Sequence, residues 1–220
     1  MPWRSPPERM SRTLIFDLDG TISNPFAGIH NSVNYALDAF GHPNVEPHAF
    51  HRHIGPPIDH IFRFLVPDSD SEQVLTLVAK FRERYAREGF AENELYDDIP
   101  ETLHALSARG YRLGICTGKR VDFARRILEM FELDHHFEFI DGGDVGISKQ
   151  QQLQQLRTAD TVSADATMIG DRDIDITSAH ANGLDAIGVL WGFGSHSELE
   201  ACGTRRFAAN PSDLLELLST

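Results

Sequence analysis

Short apolar runs recur along this chain, each closed by a polar or glycine-containing turn and followed by a helical stretch. That alternation is the signature of a parallel sheet assembled from βα units. The runs are Leu14 to Asp17, Arg112 to Cys116, Phe137 to Ile140, Thr167 to Ile169 and Ala186 to Leu190. Each is dense in apolar or β-branched residues instead of alternating with polar ones, as strands covered by helices on both faces require. The expected fold is α/β, a doubly wound parallel sheet. At 220 residues the chain has room for one substantial core and a smaller inserted module, and is short for two full-sized domains.

The insertion has an obvious place. About 90 residues separate the first two runs, far more than one crossover helix needs. Residues from roughly 26 to 92 read as helices, with apolar spacings at Val33, Leu37 and Phe40 and again at Val74, Leu77, Val78, Phe81 and Tyr85. Gly41-His42-Pro43 and Gly55-Pro56-Pro57 supply the breaks. The expected organisation is a loose tail over 1–10, an α/β core over 11–22 and 96–220, and a small helical cap over 23–95. The tail holds three prolines and little to bury, and Met10 is a second candidate start beside Met1.

The net charge of −13 disfavours a nucleic-acid polymer as partner, since no basic stripe longer than a pair of arginines offsets it. An anionic small molecule stays compatible, because a bound cation inverts the field inside one pocket. No apolar run reaches the ~18 residues of a membrane span. The two cysteines, Cys116 and Cys202, lack any zinc or CxxC spacing, and the N-terminal segment lacks the apolar centre of a secretory signal. The expected setting is the cytoplasm; oligomeric state is not readable.

Two acidic turns carry the chemistry. DLDGT at 17–21 follows the first strand; residues two apart in a strand point the same way, so Asp17 and Asp19 converge at the strand's C-terminal edge, where open α/β sheets place their ligands. Such a pair calls for a proton or a bridging cation, and oxygen-only ligands suit Mg²⁺. A solvated acidic turn is the plain alternative. A calcium loop does not fit, because Ile22 and Gly28 stand where it needs Gly and Glu. GDRDID places Asp171, Asp173 and Asp175 after the fourth strand, where acidic residues also favour helix starts for their own reasons. Thr117-Gly118 offers a hydroxyl and helix-start N–H groups to phosphate oxygens, or simply a cap. The chain has only three lysines, at 80, 119 and 149; Lys119 and Lys149 both fall at strand-to-helix transitions on the same edge. Cys116, without a local activating histidine, reads as a buried strand residue.

Taken in order, DLDGT, CTGK, SK and GDRDID resemble the four motifs of the haloacid dehalogenase superfamily, and the resemblance runs from Leu14 onward. It implies an Mg²⁺-dependent phosphatase acting on a small soluble phosphomonoester through an aspartyl-phosphate. By the same resemblance Asp17 is the nucleophile and Asp19 the acid/base; Thr117, Gly118 and Lys149 are phosphate ligands. The metal-side groups are Asp17, Asp19, Asp171 and Asp175. HIGPPI, ENELYDDIP and GVLWGFGS resemble the bacterial 5′-nucleotidase group, beside the phosphoglycolate phosphatases. One departure is Gln150, which follows Lys149 where many relatives have proline. A phosphomutase of the same family, with His30 as a cap-hinge participant or else a solvated helix histidine, is one alternative; a non-enzymatic phosphoacceptor or binding protein is another. His42, His48, His51, His53 and His60 crowd the cap and read as exposed or substrate-facing, with a zinc site as the lesser possibility.

Overall fold

A computed structural model describes residues 12–219, so the expected tail and the Met10 start lie outside it. The strands, in chain order, are β1 (Thr13–Phe16), β2 (Ser23–Asn24), β3 (Glu94–Leu95), β4 (Arg112–Thr117), β5 (Phe139–Gly142), β6 (Thr167–Gly170), β7 (Asp185–Val189) and β8 (Phe207–Ala208). The helices are α1 (Phe26–Ala39), α2 (Pro47–Phe50), α3 (Ile58–Leu65), α4 (Ser71–Arg84), α5 (Ile99–Ala108), α6 (Val121–Met130), α7 (Lys149–Thr158), α8 (Asp173–Ala181), α9 (His196–Ala201) and α10 (Leu214–Leu217).

Six strands form one parallel sheet in the order β5-β4-β1-β6-β7-β8. Alternation along β1 sends Leu14 and Phe16 to one apolar layer, shared with α5, α6 and α10, and Ile15 to the other, shared with α7, α8 and α9. Both faces are therefore covered, which is why the strand runs read as continuously apolar. The strand expected at Phe137 to Ile140 is displaced by two residues. Phe137 follows a 3₁₀ turn and packs edge-on against Phe16, at a ring separation of 6.3 Å. Pairing runs on through Asp141 and Gly142, opposite Cys116 and Thr117. β8 was not anticipated, because two residues carry no periodicity.

The helical insertion between β1 and β4 leaves and returns through the antiparallel β2–β3 ribbon, where Ser23 faces Leu95 and Asn24 faces Glu94. Its own apolar layer gathers Val33 and Leu37 from α1 with Val74, Leu77, Val78 and Phe81 from α4, as their spacing requires. Phe40 does not join them. It lies past the end of α1 and is 47% exposed. His30 is the opposite case: instead of a solvated histidine it is buried, stacked on Phe26, with Nε2 hydrogen-bonded to the Val45 carbonyl at 2.8 Å. α4 begins with a capping box between Asp70 and Gln73 and ends in a single π-helical turn, Tyr85–Gly89.

Candidate active site

The three central strands deliver the chemistry to one edge. Asp17 follows β1, Thr117 closes β4 and Asp171 follows β6, and β1 pairs with both of the other two. Gly20 makes the turn after Asp17 possible: its φ of +83° belongs to the left-handed region, and a Cβ there would lie 2.2 Å from the Asp171 carboxylate. On the other side of Asp171 a loop closes over the carboxylate. The Phe193 N–H donates to Asp171 Oδ2 at 2.8 Å, and a Cβ on Gly192 would stand 2.4 Å from Asp171 Cβ. The Trp191 indole holds that loop to the Thr21 carbonyl at 3.0 Å.

Asp17, Asp171 and Asp175 meet in a buried group, with carboxylate oxygens within 4.8 Å of one another. Lys149 is the cation in contact with them: its ammonium lies 3.0 Å from Asp17 Oδ2 and also bonds Asp175 Oδ1. A capping box between Ser148 and Gln151 starts α7 at Lys149, so the lysine is directed by the helix start and is itself buried. Gln150 occupies the second helical position, within the first turn where proline is also accepted, so the departure noted in the sequence does not displace Lys149.

Three carboxylates facing one ammonium leave the pocket with excess negative charge out of reach of water. Burial, and then the neighbouring carboxylates Asp175 and Asp17, push the Asp171 carboxyl well above its ordinary range. Burial likewise lifts Asp175, to about 6, with Lys149 opposing the shift. A hard divalent cation with oxygen ligands removes this conflict, so the donor set fits Mg²⁺. Asp19 stands apart from the trio. Its Oδ2 is ion-paired to Lys119 at 2.8 Å, and its buried Oδ1 has no hydrogen-bond partner. Burial raises its pKa against the pull of Lys119.

Thr117 is buried, and its hydroxyl accepts a hydrogen bond from the Lys119 N–H at 3.3 Å. α6 starts at Val121, where a helix is expected from the sequence, with Lys119 and Arg120 between it and Gly118. A pocket opens over Asp17, Asp19, Thr117 and Gly118, roofed by Gly55, Pro56 and Pro57 with Ile58 and Ile61 behind them. Arg172 fastens this roof by donating to the Ile54 carbonyl while pairing with Glu198 at 2.8 Å. None of the crowded cap histidines lines the pocket: His51 meets Phe193 edge-on and His53 lies tilted against Phe64. Among the described residues the metal-competent group contains no histidine.

Residues 14–189 match the family model described as haloacid dehalogenase-like hydrolase. The chain belongs to that family. It is 35% identical over 211 residues to a 5′-nucleotidase of Pseudomonas aeruginosa, covering 94% of this chain and 95% of that protein. It is 32% identical to the tyrosine-protein kinase PtkA of Mycobacterium tuberculosis, covering 97% of this chain and 75% of that one. The crystal structure of a predicted phosphatase from Clostridium acetobutylicum superposes with a TM-score of 0.89 at 30% identity, over 96% of this chain and 99% of the other. Further relatives carry the name phosphoglycolate phosphatase.

Lys119, Trp191 and Phe193 are the site residues that motif reading left without a role. Lys119 carried two signals, its place among only three lysines and its position at a strand-to-helix transition on the site edge; the Trp191 and Phe193 contacts span 170 and 22 residues and carried none. Cys116 is free and fully buried beside the site, and burial pushes its thiol far up. It is therefore an inert core group, and Cys116→Ala is expected to leave kcat within about twofold of wild type, checked by steady-state phosphate release. A folded variant without turnover would give the thiol a direct part.

Proposed function

We propose that this protein is an Mg²⁺-dependent phosphomonoester hydrolase working through a phosphoenzyme on Asp17. The observation that carries the proposal is the separation of its acids into two environments. Asp17 lies with Asp171, Asp175 and the ammonium of Lys149, a setting for a nucleophile beside a cation. Asp19 stands outside that cluster, with an oxygen unpartnered and its pKa raised by burial. Asp17, Asp171 and Asp175 would hold the cation; Asp19, ion-paired to Lys119, lies outside that group. The chemistry a bound Mg²⁺ supplies is neutralisation of phosphoryl and carboxylate charge.

The residues then divide the work. The Asp17 carboxylate attacks phosphorus and the ester P–O bond breaks, while Asp19 gives its proton to the departing oxygen. In the second half, Asp19 takes a proton from the water that attacks the aspartyl-phosphate, and inorganic phosphate leaves with Asp17 restored. Lys149 and the Thr117 hydroxyl bind phosphoryl oxygens, with Gly118 forming the adjoining wall; a lysine here acts as a compact point charge.

The organic half of the substrate would lie against Ile58, Ile61, Phe81 and Phe123. Both guanidinium groups beside it are engaged, Arg82 by Asp144 at 2.6 Å and Arg120 by Asp122 at 2.9 Å. Neither of these two guanidinium groups awaits a substrate carboxylate, which supports a 5′-nucleotide over phosphoglycolate. His30 is buried and does not line the pocket, which speaks against the part a mutase reading would give it. We place the enzyme in the cytoplasm, a setting consistent with its two free cysteines; no described helix is long and apolar enough to cross a membrane.

The test is phosphate release from nucleoside monophosphates, 2-phosphoglycolate and sugar phosphates, with Mg²⁺ or EDTA. Metal-dependent release led by a nucleotide is expected; release that EDTA leaves intact would overturn the metal assignment. Melting temperature offers a second check. Asp175 has its folded pKa raised to about 6 from an ordinary 3.8, so the metal-free folded chain retains a proton the unfolded chain has released. Its contribution to stability therefore falls as pH rises through that window, until both states are ionised above it. Mg²⁺ binds the ionised form, so the shift in Tm on adding Mg²⁺ is expected to be small at pH 5 and to grow through pH 7.5. A shift independent of pH would count against these ligands.

A further inference from the structure

We propose that Lys119 and Tyr85 form a tether through which the cap positions Asp19, so that delivery of the leaving-group proton depends on a cap side chain. This rests on the hydrolase reading given above. The Lys119 ammonium donates to Asp19 Oδ2 at 2.8 Å and to the Tyr85 hydroxyl, also at 2.8 Å. It also sits 4.7 Å from the centre of the Tyr85 ring, a cation–π placement. Both side chains are almost wholly buried: Tyr85 is 1% exposed and the Lys119 side chain 7%. One ammonium thus joins a residue after β1, a residue after β4 and a residue of the helical insertion.

The Tyr85 end is built to hold position. It opens the π-helical turn that ends α4, an uncommon geometry that is concentrated at functional sites. That turn is packed against α1 without space for a side chain: a Cβ on Gly28 would lie 1.9 Å from the Gly89 carbonyl oxygen, and one on Gly89 would meet Ser32 and the Tyr85 ring at 2.6 and 2.7 Å. The ring stacks on Phe81 at 5.1 Å and meets Phe123 of α6 edge-on at 5.0 Å. The hydroxyl is therefore delivered to Lys119 by a rigid surround.

The Asp19 end is where this matters. With Oδ2 held by Lys119 and Oδ1 buried without a partner, the orientation of the Asp19 carboxyl in the pocket wall rests on the Lys119 contact. Lys119 lines the same pocket, but its ammonium is engaged by Asp19 and Tyr85 and, among the described residues, forms no ion pair with Asp17. It acts through Asp19, as a positioning residue. A tether of this kind leaves an uncommon kinetic trace. Esters whose leaving oxygen needs a proton should depend on it, and esters whose leaving group departs as a stable anion should not, up to the point where the phosphoenzyme forms.

The experiment compares an alkyl phosphate with 4-nitrophenyl phosphate on wild type, Tyr85→Phe and Lys119→Met, each checked for folding by thermal melt. Tyr85→Phe keeps the ring and its packing. Its kcat/KM for the alkyl ester is expected to fall by about 10- to 100-fold, while kcat/KM for the nitrophenyl ester stays within about twofold; Lys119→Met should widen the same split. Equal losses on both esters would mean a purely structural role, and no loss on either would mean no role; each overturns the tether while the hydrolase reading survives. A folded wild type that releases phosphate from neither ester, nor from the wider substrate panel, would overturn both.

Discussion

Asp17→Asn is expected to lower kcat for phosphate release by about 10⁴-fold or more, because loss of an attacking nucleophile leaves only binding and electrostatic catalysis behind. The stability of the variant should move the other way. In the wild-type chain three buried carboxylates face the single ammonium of Lys149, and the substitution removes one negative charge while keeping the side chain's shape. Without metal, the variant should melt at or above the wild-type temperature. The measurement is single-turnover phosphate release beside a thermal melt in EDTA. Retained turnover would remove Asp17 from the chemistry, whereas loss of turnover with a much lower melting temperature would show that the fold was damaged instead.

Lys149→Met is expected to have the largest effect on stability. It removes the cation that contacts Asp17 and Asp175 inside the protein and leaves their carboxylates buried without it. Breaking a buried ion pair by deleting one partner costs about 3–5 kcal/mol, and here two contacts end on the same ammonium. Denaturant unfolding in EDTA at pH 7.5 should register most of that cost, and Mg²⁺ should restore part of it, since a divalent cation offsets the same charge. Turnover should remain strongly impaired even with Mg²⁺, because the phosphoryl group also loses its point charge. An unfolding midpoint equal to wild type would mean that the trio is neutralised by protons and that Lys149 contributes little.

Much of this site could be read from the chain itself, and the reason is local. Asp17, Thr117 and Asp171 each stand at the end of an apolar run whose strand character is written in a few adjacent residues, and parallel strands must present those ends together. Lys149 was legible through the scarcity of lysines and its place at a strand-to-helix transition. What escaped depends on contacts between distant segments. The pairing of Lys119 with Asp19 crosses the whole insertion, and the grip of Trp191 and Phe193 on Thr21 and Asp171 depends on how a late loop folds back. His30 was misjudged for the same reason: a histidine on a helix looks solvated until Val45 and Phe50 are brought over it. β5 was placed two residues early because Phe137 is apolar for the sake of packing on Phe16, not for strand pairing.

The adjacency of β4, β1 and β6 sets a gauge for the chemistry. Neighbouring strands are held ~4.8 Å apart by their hydrogen bonds, so the spacing between the nucleophile, the threonine and the carboxylate after β6 is inherited from backbone pairing and owes nothing to the helical insertion. Drift in the insertion can therefore remodel what is recognised without retuning the machinery beneath it. Mutational libraries confined to residues around Gly55 to Ile61 should yield altered preferences at tolerable cost in rate, whereas a single-residue slip in the register of β1 would dismantle the reaction for every substrate at once.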